Sequence, residues 1–134
     1  MTAKTQAIDR ELVKRVRNKV MQEYEQMSNN LMVSEFDLPV MTALSDEELE
    51  RLILLALEEA KKPVSWRELK RIFTGIAGED RLRKIISKLK AENIIAELTK
   101  TRYALPQYVP LNEISKIKNP GIISKMLSMS EARQ

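Results

Sequence analysis

One stretch decides the fold of this chain, residues 65–105, which read SWRELKRIFTGIAGEDRLRKIISKLKAENIIAELTKTRYAL. It opens on a capping box, since Ser65 is followed three residues later by Glu68 and each side chain can bond the other's backbone amide at a helix start. Apolar residues follow at helical spacing, namely Trp66, Leu69, Ile72 and Phe73. Two of the three glycines of the protein then break the pattern within residues 74–78. The stretch therefore begins with a helix and a turn.

A second helix is predicted after this turn, with an apolar side and a basic side. The apolar side consists of Leu82, Ile85, Ile86 and Leu89. The outward side carries Arg81, Arg83, Lys84, Ser87, Lys88 and Lys90. Glu79 and Asp80 fall in the first turn, where the helix dipole favours negative charge. The pattern predicts a helix that shows a basic face to water.

A short two-stranded ribbon is predicted to follow this helix. Asn93 is a residue type that ends helices in the left-handed conformation. Residues 94–98 and 102–105 then have the pattern of two short strands. Lys100 and Arg102 are expected at the tip of the ribbon, where they would face solvent.

The run from residue 82 to 95 resembles the recognition helix of the winged helix-turn-helix superfamily. In that superfamily a basic amphipathic helix ends in a turn residue and two apolar residues that start the wing. Asn93 stands where the family usually has glycine. The resemblance covers residues 44–110 and implies a mainly α fold with a small β-wing, here preceded by a long amphipathic N-terminal helix.

The resemblance also implies a function. Most winged helix domains bind duplex DNA with this helix in the major groove and the wing against the backbone, so a transcriptional regulator or chromatin-associated factor is expected. The residues expected to contact DNA are Arg81, Arg83, Lys84, Ser87, Lys88, Lys90, Arg67, Lys70, Arg71, Lys100 and Arg102. A minority of these domains only dock other proteins, and Asp80 near the front of the helix favours that alternative, a docking module in a replication, transcription or segregation assembly. Association with RNA or the ribosome is a third hypothesis.

Composition narrows the chemistry of this chain. Its 134 residues contain 23 basic and 19 acidic side chains, which gives a net charge of +4. An excess this small argues for a polyanionic partner only where the basic side chains are concentrated on one surface. The absence of cysteine and histidine removes disulfides, thiolate chemistry and the commonest metal ligand and general base. We therefore expect no enzymatic activity, cofactor or metal site.

The sequence also suggests where the protein resides. No apolar run approaches the roughly 20 residues that cross a bilayer, and no signal-peptide core is visible. A cytoplasmic, nucleoid-associated protein is expected. The density of Lys, Glu and Ile is compatible with a thermophilic source.

The N-terminal region, residues 1–42, is predicted to hold a long helix followed by an extended connector from residue 32. The helix has one narrow apolar stripe, formed by Leu12, Val16, Val20, Tyr24, Met27 and Leu31. Such a stripe must be covered. It either packs along its own domain or pairs with its copy in a homodimer, while its balanced charge disfavours a membrane surface.

A second capping box opens the first helix of the winged helix domain, predicted over residues 43–110. The box consists of Ser45 and Glu48. The core face of this helix is predicted to be Leu49, Leu52, Ile53, Ala56, Leu57 and Ala60. Leu54 and Leu55 lie beside that face, where the N-terminal helix or a partner could rest.

The remaining tail, residues 111–134, is predicted to be ordered only if it docks. Its apolar residues after Pro120 and Gly121 allow a short helix, which includes Ile122, Ile123, Met126, Leu127 and Met129. The surface that receives this helix is left open as its own domain, another subunit or a different protein.

Overall fold

The computed structural model describes residues 8–31 and 44–125, and its elements are mainly helical with a small antiparallel sheet. In chain order they are α1 (Arg10–Leu31), α2 (Asp46–Ala60), β1 (Val64–Ser65), α3 (Trp66–Ile72), α4 (Glu79–Ala91), β2 (Ala96–Leu98) and β3 (Arg102–Ala104). Two 3₁₀ turns follow at Pro106–Tyr108 and Leu111–Lys116, and residues 120–125 are helical. The predicted connector, residues 32–42, and the predicted tail residues Met126, Leu127 and Met129 lie outside the described residues.

Both predicted capping boxes are confirmed. The amide of Glu48 donates to Ser45 Oγ at 3.1 Å, and the amide of Ser45 donates to Glu48 Oε1 at 2.8 Å. At the second box the corresponding distances for Glu68 and Ser65 are 3.1 and 3.0 Å. These reciprocal bonds satisfy amides that a helix start otherwise leaves unpaired, so α2 and α3 begin where the sequence places them.

Asn93 ends α4 in the predicted left-handed conformation, with φ of 58°. The amide of Asn93 donates to the carbonyl of Lys90 at 3.0 Å, and that of Ile94 donates to the carbonyl of Leu89 at 2.9 Å. This pair of bonds is the Schellman motif, which satisfies the last carbonyls of a helix. It reverses the chain and starts the strand that follows.

The sheet has three strands in the order β1-β3-β2, all antiparallel. The predicted ribbon corresponds to β2 and β3, while β1 was not predicted. The three-residue turn between β2 and β3 has positive φ at both Lys100 and Thr101, 64° and 53°. The carbonyl of Thr101 accepts a bond from the amide of Trp66 at 2.9 Å, which ties the tip of the hairpin to the start of α3.

The apolar stripe of α1 is buried inside its own chain, against α2 and α3. Leu12 is 2%, Val16 0%, Val20 0% and Met27 7% exposed, while Tyr24 is partly buried. The predicted core face of α2 is buried in the same cluster. Of the two alternatives for the stripe, the described residues adopt intramolecular packing. Four of the side chains proposed for a dimer contact are therefore already covered and Tyr24 is partly so, while the side chain of Leu31 lies outside the described part of the structure. Homodimerisation stays a prediction.

Polar contacts join the N-terminal segment and α1 to both ends of α3. At its start, the amide of Asp9 donates to Glu68 Oε2 at 2.8 Å, while Asp9 Oδ1 caps α1 by accepting from the amide of Leu12 at 3.0 Å. Further along, Arg17 Nη1 donates to the carbonyls of Arg71, Ile72 and Thr74 at 3.2, 2.9 and 2.8 Å. Arg17 thus supplies donors to carbonyls that the end of α3 leaves unpaired.

The tail docks on its own domain as far as residue 125. Asn119 Nδ2 donates to the carbonyl of Ile95 at 2.9 Å, and its Oδ1 accepts from the amide of Glu97 at 3.0 Å. Ile122 is fully buried and closes a second apolar cluster on the sheet with Ala96, Leu98, Ala104 and Val109. For these residues the self-docked alternative is the correct one.

Candidate functional site

Two of the predicted DNA contacts on α4 are held by α2. The guanidinium of Arg81 donates to the carbonyl of Leu44 and to Asp46 Oδ1, the latter at 3.1 Å. Lys88 donates to the carboxylate of Glu50, a hydrogen bond that raises the pKa of Lys88 above its usual value. The sequence predicted that Arg81 and Lys88 point furthest outward; instead they lean toward the acidic start of α2, which neutralises both charges.

Two further cations lie on the opposite flank of α4. Lys90 Nζ lies 3.1 Å from Glu97 Oε1 on β2, and this pair is mostly buried, with side-chain exposures of 36% and 15%. Arg83 Nη2 lies 3.3 Å from Glu79 Oε1, but here both side chains are more than half exposed. The first pair is therefore a fixed part of the fold, whereas the second is open to exchange with solvent ions.

The middle of the exposed side of α4 is nearly neutral. It consists of Asp80, Lys84, Ser87 and Ala91, all exposed. Within residues 8–31 and 44–125, no carboxylate lies within 4.0 Å of Lys84, in contrast to the other four cations of this helix. The continuous basic face that the sequence predicts for α4 is therefore absent from the described helix.

The predicted cations of α3 are more accessible. Arg67 and Arg71 are exposed and form no ion pair with any described residue, and Lys70 Nζ is only loosely paired, 3.9 Å from Glu79 Oε1. These three side chains, with Ile8 and Thr74, line a shallow depression of about 330 Å³. Among the described residues, α3 therefore has two cations without an ion pair, Arg67 and Arg71, whereas α4 has one, Lys84.

Trp66 contacts cations from both α3 and α4 and is bonded to the hairpin tip. Arg83 Cζ lies 5.0 Å and Lys70 Nζ 5.9 Å from the centre of its ring, so both cations lie within range of a cation–π interaction. Sequence periodicity placed Trp66 in the apolar pattern of its helix, but its ring is only partly buried and supports charged groups. Its amide also contacts the hairpin tip, next to the exposed Lys100.

We use the name Trp66 patch for the half-buried ring, the two cations over it and four exposed cations on α3, α4 and the hairpin tip. The six cations are Arg67, Lys70, Arg71, Arg83, Lys84 and Lys100. Its acidic members are Glu79 and Asp80. The patch thus contains six of the eleven residues predicted to contact DNA, and Ser87 lies one turn further along α4.

Arg102 does not belong to this surface. Its Nη2 lies 2.7 Å from Glu113 Oε1, with side-chain exposures of 17% and 16%, and its Nε donates to the carbonyl of Thr99 at 3.1 Å. The sequence placed Arg102 at the solvent-facing tip. Instead, its side chain pairs with Glu113 in the tail. The hydrogen bond from Arg102 holds the pKa of Glu113 below its usual range.

This pair predicts a pH dependence of stability. Because the folded-state pKa of Glu113 is lowered, its contribution is present above the unfolded-state pKa of about 4.3 and is lost as the pH falls through the lower folded value. Glu113→Gln should therefore reduce Tm near pH 6, and its difference from the wild type should shrink below about pH 4. Thermal melts across this range test the prediction, with the exposed Glu92→Gln as control. A difference that stays constant with pH would contradict it.

The described residues contain no cluster of three acidic side chains that could hold a metal ion and no helix long and apolar enough to cross a membrane. In comparisons with known proteins, no family model, no curated protein and no solved structure matches this chain.

Proposed function

We propose that this protein is a winged helix protein that binds duplex DNA through the Trp66 patch, mainly by contacts to the phosphate backbone. The succession of α3, turn, α4 and a β-hairpin supports the winged helix interpretation. The observation that carries the function is that Lys70 and Arg83, from two helices, lie over one partly exposed tryptophan, while Lys70 shares a depression with the exposed Arg67 and Arg71. Such a surface attracts a polyanion through release of its counterions.

Exposure separates the cations that can bind phosphate from those that cannot. The Arg83–Glu79 pair is exposed, and exposed pairs contribute only about 0–1 kcal/mol, so a phosphate can replace the carboxylate. The guanidinium of Arg81 and the mostly buried pairs of Lys90 and Arg102 stabilise the fold, and their exchange would leave partly buried acceptors unpaired. Binding therefore uses α3 and the first turns of α4.

The exposed centre of α4 offers little base readout. Lys84 and Ser87 are the side chains there that can reach base edges, and Asp80 would repel nearby phosphates. Binding should consequently be weakly selective for sequence. This favours a chromatin-associated role over an operator-specific regulator.

The test is the salt dependence of duplex binding, measured by fluorescence polarisation of a labelled duplex. Replacing both Arg67 and Arg71 with alanine should weaken binding roughly tenfold and reduce the slope of log K against log salt by about 2, because two phosphate contacts are lost. Both side chains are exposed, so the melting temperature should not change. Arg51→Ala removes an exposed arginine from α2, outside the patch, and should leave the affinity unchanged.

A docking module is the second candidate function, and the neutral centre of α4 favours it. Small and oppositely charged side chains there suit a protein surface better than a phosphate backbone. A wild type that fails to bind duplex even at low salt, or a double variant that binds as tightly as the wild type, would support this candidate against DNA binding.

A further inference from the structure

One carboxylate oxygen lies between two cations of the Trp66 patch. Glu79 Oε1 is 3.3 Å from Arg83 Nη2 and 3.9 Å from Lys70 Nζ. Both cations also lie over the ring of Trp66, at 5.0 and 5.9 Å from its centre. The two positive groups thus share the ring as one neighbour, and the chain's own carboxylate oxygen lies within 4.0 Å of both.

The surroundings leave room for another anion. Lys70 and Glu79 line an open depression of about 290 Å³ together with Thr74, Gly75 and Ala77. Glu79 is 53% exposed, and within the described residues its carboxylate bonds no group other than these two cations. Its side chain can therefore turn into solvent without breaking a buried contact.

We infer that Lys70 and Arg83 form a seat for a single phosphate group and that Glu79 is an internal competitor for this seat. The inference rests on the proposed function and names the place of one backbone phosphate within it. A carboxylate and a phosphodiester each present two oxygens that share one negative charge, so the same cations accept either. A bound phosphate must displace Glu79, whose charge then remains nearby and opposes binding.

A different role for Glu79 is the general one of an acidic residue at a helix start, where it offsets the helix dipole. Asp80 occupies the same first turn and carries the same charge, but it contacts neither Lys70 nor Arg83. Asp80→Asn is therefore a matched control for Glu79→Gln, since both remove one negative charge from this turn.

Duplex binding at fixed salt, measured with and without Arg83, distinguishes the two roles. Glu79→Gln should bind about 5-fold more tightly than the wild type, the factor expected for loss of an exposed ion pair. In an Arg83→Ala background this gain should shrink to that of Asp80→Asn, because Glu79 then keeps only its looser contact with Lys70. Any gain from Asp80→Asn should persist in that background. A gain from Glu79→Gln that persists there undiminished would overturn the seat.

Trp66 provides a second readout that does not require DNA, because it is the only tryptophan of the chain. At constant ionic strength, inorganic phosphate should change its emission at lower concentration in Glu79→Gln than in the wild type, and Arg83→Ala should abolish the response. If neither the wild type nor Glu79→Gln binds duplex, the proposed function fails. The phosphate response then decides the seat alone: its presence supports the seat, and its absence overturns it.

Discussion

Replacing Val20 with glutamate should unfold this protein rather than convert a dimer to a monomer. Val20 lies on α1, is fully buried and belongs to the main apolar cluster of the core. Burial of an unpaired charge, added to the loss of apolar contact, should cost about 4 kcal/mol or more. That is most of the stability of a typical small domain.

Circular dichroism, urea unfolding and sedimentation together test this prediction. Lys19→Glu changes the charge at the neighbouring exposed position and should alter the free energy of unfolding by less than about 0.5 kcal/mol. The opposite result would be a dimeric wild type and a Val20→Glu variant that remains fully helical as a monomer. It would mean that the apolar stripe of α1 serves a second chain, as the homodimer hypothesis requires.

Glu68→Ala should destabilise the protein by about 3 kcal/mol. Glu68 is 7% exposed and accepts from two backbone amides, the buried one of Ser65 and the partly buried one of Asp9, which would otherwise lose these partners. The second of these bonds holds the start of α1 against α3. Its loss should therefore loosen the N-terminal helix as well as the capping box.

Glu48 offers a matched control, because it holds the same position in the other capping box. It is more exposed, and among the residues that the structure describes it accepts from one amide, that of Ser45, so Glu48→Ala should cost about 1 kcal/mol or less. Urea unfolding of the two variants gives the comparison directly. Equal losses would show that burial and the contact with Asp9 add nothing to the role of Glu68.

The features that were predictable from sequence depend on near neighbours in the chain. Ser45 and Ser65 cap helices through residues three positions away, and Asn93 ends α4 through carbonyls within the same turn. The buried faces of α2 and α4 follow from helical spacing alone. Each of these features depends on residues within a few positions of one another, so it can be predicted from a short segment of the sequence.

The features that were missed depend on partners far along the chain. A helical wheel places Arg81 and Lys88 on the outward side of α4. In the structure they bond to Asp46 and Glu50 of α2, which lie more than 30 residues earlier in the chain. A run of acidic residues at the start of α2 was the available signal, although nothing in the sequence says which helix it will face. The two-residue strand β1 was missed for the same reason, since it exists only through its pairing with β3.

The docking of Ile122 on the sheet has a consequence for how the chain matures. The apolar side formed by Ala96, Leu98 and Val109 stays uncovered until Ile122 has left the ribosome, although every strand of the sheet has been synthesised by then. A nascent chain therefore exposes an aggregation-prone apolar surface during this interval, and a chain that ends before Ile122 exposes it permanently. Chaperone demand should accordingly be highest in the interval between the emergence of β3 and that of Ile122.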